Sequence, residues 1–449
     1  MPDLPGLPGS AEVDETIKVV HDHADRIFLW NYDRSRDQLV TLYNKAMGSQ
    51  WNSVTELDWS AEVDPFELVD PAAPLQQLAR AARDVDGSPI ASWGEKELGQ
   101  LGVESFKAQL SQFMHGEQGA MMTAAKIVET VPWIDAKYYA ATQTMDEARH
   151  TEVFAKYLHT KLGEAYPMSP FLEGQITALL EDDRWDIAYL GMQIVIESLA
   201  LAAFGSMLRT IDEPLLRKLL RYVMSDEARH VAFGVLSLSE YYAGLSEAEL
   251  KDRQEFLVEN TLRNRARSTT PEVWERMGVS VEAVYPAITE AAGTIKVHPF
   301  AGFQRAFFSK LVPNVRKLGL LDANDGYLRR HWAEAGLLEF EFADDTGGLG
   351  TDGGLGRGRV PGDHRGGGTD QGAPVRRVPA GVLLQAGPER PQAGFARRQR
   401  WLPAPALGGR GVAGVRVRRR HRLGLRELRR RGSRPCRGRR RLMNSAHRV

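Results

Sequence analysis

A pentapeptide occurs twice in this chain, Asp146-Glu147-Ala148-Arg149-His150 and Asp226-Glu227-Ala228-Arg229-His230. Thirty residues before each copy's glutamate stands another, Glu117 before Glu147 and Glu197 before Glu227. On a helix, residues three apart share a face, so Glu147 with His150 and Glu227 with His230 each project two side chains in one direction. The midpoints of the two intervals carry Val131-Pro132-Trp133 and Ile211-Asp212-Glu213-Pro214, where a proline breaks the helix. Each unit therefore reads as an antiparallel helical hairpin whose first glutamate folds back to the height of its Glu-x-x-His. Two such hairpins packed face to face bring Glu117, Glu147, His150, Glu197, Glu227 and His230 into the middle of a four-helix bundle, a di-metal carboxylate arrangement. A lone Glu-x-x-His arises often on solvated faces. Two copies with matched upstream glutamates are far more specific.

The side chains beside these six extend the pattern. Asp146 and Asp226 stand one residue before a glutamate and four before a histidine, and metal-bound histidines usually donate their other N–H to a carboxylate. They are the candidates for that role, each reaching the histidine of the opposite hairpin. Arg149 and Arg229 can pair with them, the blander reading being a surface Asp–Arg pair three residues apart. Oxygen and imidazole ligands suit iron or manganese; zinc could bind but would idle in redox chemistry, and the excess of carboxylates argues against copper. Four carboxylates balance two divalent ions and leave a neutral site that can be buried. Met114, Met121, Met192, Phe154 and Phe204 read first as core; a cavity built from them would favour an apolar guest. His115, His159, His298 and His331 have no supporting spacing.

Charge separates the chain into two parts. Residues 346–449 hold 25 Arg, no Lys, 5 acids and 22 Gly, which leaves 33 basic and 53 acidic residues for the first 345. The acidic body does not suggest specific nucleic-acid binding. The Arg/Gly/Pro-rich tail reads as a disordered, frameshifted or unselected terminus, or else as an arm with weak non-specific nucleic-acid affinity. The only cysteine, Cys436, lies in that tail, so the body has no thiol for disulfides, zinc-thiolate sites or nucleophilic catalysis. The N-terminus shows neither a basic start nor an apolar run, and a cytoplasmic protein is the default expectation. Between Ile187 and Phe204 nothing is charged except Glu197. A run of that length can mark a membrane span, but Glu197 and Gln193 inside it favour a central core helix over a span.

Periodicity and punctuation place helices at about 13–29, 36–47 and 75–83, with loops between. The bundle helices follow at about 95–130, 133–162, 185–208 and 214–242, the linker between 162 and 185 being left without structure. Further helices are expected near 246–265, 271–277, 281–292, 299–318 and 327–335. No alternating strand pattern appears. The expected architecture is all-α: N-terminal helices and loops over 1–94, the bundle over 95–245, accessory helices over 246–345 and the tail over 346–449.

These residues resemble the ferritin-like di-iron carboxylate superfamily, which includes the ribonucleotide reductase small subunit, bacterial multicomponent monooxygenase hydroxylases, aldehyde-deformylating oxygenases and N-oxygenases. The Asp-Glu-Ala-Arg-His spelling is especially similar to the hydroxylases' Asp-Glu-x-Arg-His motifs. The resemblance covers about residues 95–245. It implies Glu117 and His150 on one metal, Glu197 and His230 on the other, and Glu147 and Glu227 bridging, with two iron ions or a Mn/Fe pair and O2 as co-substrate. Departures narrow the choice. Phe154 stands where the reductase subunit has its radical tyrosine, and Val223 where the N-oxygenases add a third histidine. The implied function is a di-iron oxidase or oxygenase of a small, apolar organic substrate, supplied by an external electron donor or reductase. A ferroxidase or iron/manganese-handling protein is the alternative, and a non-catalytic helical interaction protein the second alternative. Relatives imply a homodimer.

Overall fold

The computed structural model describes residues 20–263, 271–294 and 301–338. Among them there are helices and no strands, so the chain is all-α. The Arg-rich tail from 346 and His298 lie outside the described residues, as does residue 13–19 of the first expected helix.

The four helices that matter most begin and end where punctuation requires. Helix α3 (Glu95–Thr130) opens on Gly94, whose N–H donates to Glu97 at 2.9 Å, and stops before Val131-Pro132. Helix α4 (Ile134–Tyr157) continues into a π turn, Leu158–Leu162, ended by Gly163 at φ 91, a left-handed conformation that glycine adopts without a Cβ clash. Helix α6 spans Trp185–Thr210 and contains a seven-residue π stretch, Leu190–Ile196. Helix α7 (Pro214–Tyr242) has Pro at its first position, and Glu213 caps it by accepting from the N–H groups of Leu215 and Leu216, both at 2.7 Å.

Around these, α1 (Asp37–Gly48) packs across α4 and α7. Helix α2 (Pro74–Arg83) lies against α3 and against α10 (Val281–Thr294). Helices α8 (Glu247–Arg263) and α12 (Ala323–Glu334) contact each other, and α11 (Ala301–Lys317) covers α6. The short α9 (Pro271–Arg276) joins α3 and α10.

Two elements differ from expectation. Residues 20–29, the described part of the first expected helix, are not helical although their apolar spacing suggested it, and the chain stays irregular to residue 36. They form a strap over the α3–α4 turn: the Ile27 N–H donates to the Glu129 carbonyl at 2.8 Å, and the Ser35 and Arg36 N–H groups donate to the buried Asp135 carboxylate at 3.1 Å. Those partners satisfy the backbone without a helix. Conversely, the linker holds a helix, α5 (Pro170–Glu181), whose N-cap Ser169 accepts from the Leu172 N–H. The Ser-Pro pair was the signal for it.

The apolar core divides along the bundle. One part takes Ala136, Tyr139 and Ala140 from α4, Tyr189 and Ile194 from α6, and Phe233 and Leu238 from α7. The other takes Leu110 from α3, Val153 and Phe154 from α4, Phe204 from α6, and Leu219 and Val223 from α7. On α4 and α7 the residues between the two parts are the repeated pentapeptides. A polar layer is thus sandwiched between two apolar ones. The 18-residue apolar window of α6 is 78% buried inside the molecule, so its hydrophobic surface is spent on this core.

Close packing leaves Gly234, one turn after His230, no room for a side chain. A Cβ there would lie 2.5 Å from Cβ of Gln193 and 3.1 Å from Cδ1 of Ile194. Gly234→Ala is therefore expected to lower stability by about 1–3 kcal/mol, the range for overpacking a core, measured as a reduced urea midpoint with unchanged slope.

Candidate metal centre

All six repeated side chains meet in the polar layer. Glu147, His150, Glu227 and His230 are 0% exposed, Glu197 3% and Glu117 6%. Their ligand atoms form two sets, Glu117–Glu147–His150–Glu227 and Glu147–Glu197–Glu227–His230, each with all atoms within 4.8 Å of one another. Glu147 and Glu227 belong to both sets. One Glu from each of α3 and α6 and one Glu-x-x-His from each of α4 and α7 is the ferritin-like di-metal carboxylate arrangement.

Each imidazole is fixed at both nitrogens. His150 Nδ1 faces Glu117 at 3.3 Å, Glu147 at 3.2 Å and Glu227 at 3.1 Å, while Nε2 bonds Asp226 at 3.0 Å. His230 Nδ1 faces Glu227 at 2.9 Å, Glu147 at 3.0 Å and Glu197 at 3.7 Å, and Nε2 bonds Asp146 at 3.4 Å. The aspartate of each hairpin thus reaches the histidine of the other. A proton held on Nε2 by the aspartate leaves the Nδ1 lone pair aimed into the carboxylate cluster, the tautomer a metal ligand needs.

The aspartates are tied down in turn. Asp226 accepts from Trp51 Nε1 at 2.8 Å, from Arg149 at 3.3 Å and from Arg229. Asp146 accepts from Gln50 at 3.0 Å and from Arg149. Arg149 lies 4.7 Å over the Trp51 ring, which stacks on Tyr222 at 4.9 Å. Arg149 and Arg229 are therefore inward-facing, not a surface pair. Trp51 and Gln50, in the turn after α1, were not singled out from sequence, because a tryptophan in an aperiodic loop carries no spacing signal.

Two glutamines were missed as functional neighbours because the repeat does not share them, Val223 and Phe113 standing at the corresponding positions. Gln143 Nε2 donates to Glu147 at 2.9 Å and to Glu197 at 3.2 Å, and Gln193 Nε2 donates to Gln143 Oε1 at 2.8 Å. On the opposite side Phe113, Phe154 and Phe204 pack with centroids 4.8–6.2 Å apart, the aromatic core expected there. Of the other expected lining residues, Met192 is buried with Ala120 and Leu179. His115 bonds the Tyr166 carbonyl at 2.9 Å and has no part in the cluster.

Without a cation the cluster is electrostatically unbalanced. Burial pushes Glu117 and Glu197 well above the usual carboxylate range, and Glu227 adds to it by repulsion. Burial also acts to raise Glu147, but His230 and His150 outweigh it and hold that carboxyl well below its ordinary value. Burial opposes protonation of both imidazoles; Asp226, Glu117 and Glu147 overcome it at His150, and Glu147, Glu227 and Asp146 at His230, so both titrate well above the usual histidine range. Protons on Nδ1 thus stand where positive charge is required. Glu227 Oε1 is buried and accepts no hydrogen bond despite its 3.1 Å approach to His150. An orphaned carboxylate oxygen inside a carboxylate–imidazole cage is what a cation satisfies, and the donor set is able to hold two metal ions.

Asp226→Ala would strand His150 Nε2, Arg229 and the Trp51 indole at once. Removing one partner from a buried charged network is expected to cost about 3–5 kcal/mol, read as a lowered thermal unfolding midpoint of the metal-free protein.

No protein-family model matches the chain, and no curated protein does. Among solved structures it is similar to R2-like ligand-binding oxidases. One with an aerobically reconstituted Mn/Fe cofactor has 14% identity and a TM-score of 0.38, over 62% of this chain and 92% of that one. A point variant with the same type of cofactor has 16% identity and a TM-score of 0.37 over the same shares.

Proposed function

We propose that the protein is a non-haem oxidase or oxygenase whose carboxylate-bridged pair of iron ions, or of manganese and iron, activates O2 to oxidise a small, apolar organic substrate. The observation that carries the reading is the pair of buried four-residue sets sharing Glu147 and Glu227. Glu117 and His150 would hold one metal and Glu197 and His230 the other, with Glu147 and Glu227 available to both. All six ligands are oxygen or imidazole nitrogen, which suits iron and manganese.

The bound metal pair supplies O2 activation; the protein supplies position, charge and enclosure. Asp226 and Asp146 keep the Nε2 protons of His150 and His230, so both Nδ1 atoms stay available as ligands. The four carboxylates cancel the charge of two divalent ions, which lets the centre sit in a dry core. Phe113, Phe154 and Phe204 close one side with hydrocarbon, excluding water and favouring an apolar guest. Inserting one oxygen atom of O2 into an organic molecule while reducing the other to water takes two electrons beyond those of the substrate. That balance calls for an external electron donor or reductase.

Anaerobic titration with Fe2+ or Mn2+ is expected to give two ions per chain. Glu227→Ala, which removes a shared ligand, is expected to lose both ions, whereas Glu197→Ala loses one; unchanged stoichiometry in either variant removes that residue from the set. Below about one ion per chain in the unaltered protein, the metal reading falls and a non-catalytic helical protein remains. Oxygen uptake that needs both a reductant and an organic molecule supports the oxygenase. Uptake driven by Fe2+ alone, leaving ferric mineral, supports iron handling instead.

A further inference from the structure

The two halves of the internal repeat differ at one turn, and the difference falls beside the metal centre. Phe113 stands four residues before Glu117 and Val223 four before Glu227, whereas Gln193 stands four before Glu197 and Gln143 four before Glu147. The Phe113 and Val223 side is hydrocarbon, continuous with Phe154 and Phe204. The Gln143 and Gln193 side is a buried amide pair, both side chains 0% exposed.

Hydrogen bonding fixes the direction of that pair. Gln143 Nε2 points both its protons at carboxylates, Glu147 Oε1 at 2.9 Å and Glu197 Oε1 at 3.2 Å. A flipped amide would aim its carbonyl oxygen at the Glu147 carboxylate, so charge imposes the orientation. The Gln143 carbonyl then needs a donor, and Gln193 Nε2 provides it at 2.8 Å. Gln193 is held in place by the π stretch Leu190–Ile196 and by the close approach of Gly234 to its Cβ. Local π turns occur often at functional sites. The chain Gln193–Gln143–Glu197/Glu147 therefore runs from the π stretch of α6 to two carboxylates.

We propose that Gln143 and Gln193 are a positioning relay that makes the two metal positions inequivalent, locking Glu197 and the Glu197/His230 position while leaving the Glu117/His150 position against hydrocarbon without such a lock. This inference rests on the di-metal reading. Glu197 belongs to one ligand set only, so loss of the relay acts chiefly there, and Glu147, though bonded to Gln143, keeps its contacts to both histidines. The Gln193 side chain hydrogen-bonds Gln143 and none of the six cluster residues, so it acts through Gln143.

The test is a Mn2+ equilibrium titration, followed by the electron paramagnetic resonance of free Mn2+, on the full chain and on Gln143→Met, Gln193→Met and the double variant. Methionine matches glutamine in size and has no donor. Gln143→Met is expected to weaken one of two equivalents by about 10–100-fold, as loss of a partner behind a ligand does, and to leave the other unchanged. Gln193→Met weakens the same equivalent less. The double variant is no worse than Gln143→Met alone. In a Glu117→Ala background Gln143→Met still weakens the remaining equivalent, and in Glu197→Ala it does not. Unfolding midpoints of the metal-free single variants fall, since each leaves the other amide unpaired, and the double variant recovers part of that loss while its metal affinity stays as low as that of Gln143→Met.

Equal weakening of both equivalents, additive losses in the double variant, or affinity that falls only in step with metal-free stability would each overturn the relay. If Gln143→Met does not fold, Gln193→Met alone decides by the same one-equivalent criterion. No binding by the unaltered protein overturns the metal reading and the relay together, whereas two normal equivalents in every variant overturn the relay only.

Discussion

Four carboxylates and two imidazoles buried in one layer dominate the physics of this bundle. Isolated anions in a dry core are too costly to keep ionised. The protein responds with protons on the imidazoles, raised titration of Glu117 and Glu197, and aspartate–arginine pairs behind both histidines. Each response answers the same imbalance. Positive charge placed between the side chains answers it more completely, because cations meet all four carboxylates at once and release the protons. Folding and metal binding are thereby linked through one cluster.

That cluster also explains how the core is partitioned. A polar layer cannot tolerate water on either side if the charge is to remain ordered, so the helices carry hydrocarbon both before and after it. On α4 the sequence passes from Ala136, Tyr139 and Ala140 through the pentapeptide to Val153, Phe154 and Tyr157; on α7 it passes from Leu219 and Val223 through the pentapeptide to Phe233 and Leu238. Because the two helices belong to separate hairpins, each aspartate crosses to the other hairpin's histidine. Neither hairpin supplies all four members of either residue set.

Much of this was legible beforehand. The helix ends of α3, α4 and α7 follow prolines and capping residues that act locally, and the six cluster residues follow from a spacing repeated twice. The strap over residues 20–36 was not legible, because its backbone partners, Glu129 and Asp135, lie about a hundred residues away. Helix α5 was legible from Ser169-Pro170 and was passed over, since its short apolar stretch lay between two louder signals. Trp51, Gln50, Gln143 and Gln193 escaped for another reason. Repetition singles out what both halves share, and these four have no counterpart in the other half.

Where the halves diverge, α6 shows how one helix can carry the difference. It is apolar nearly all round because α11 covers a face that an ordinary bundle helix would turn to solvent. In that setting Gln193 would be costly without a partner, and Gln143 alone would leave its carbonyl unmet. Placed together, Gln193 meets the Gln143 carbonyl and both Gln143 protons go to Glu147 and Glu197, while Gln193 Oε1 stays buried without a partner. The π stretch gives up regular α-helical hydrogen bonding over seven residues, and the Gln193–Gln143 contact is made from within it. A symmetric duplication of the hairpin would have put a phenylalanine at 193 and a glutamine at 223, or a glutamine at 113 and a valine at 143. The polar pair therefore marks the Glu197 side of the cluster, and hydrocarbon continuous with Phe113 the other.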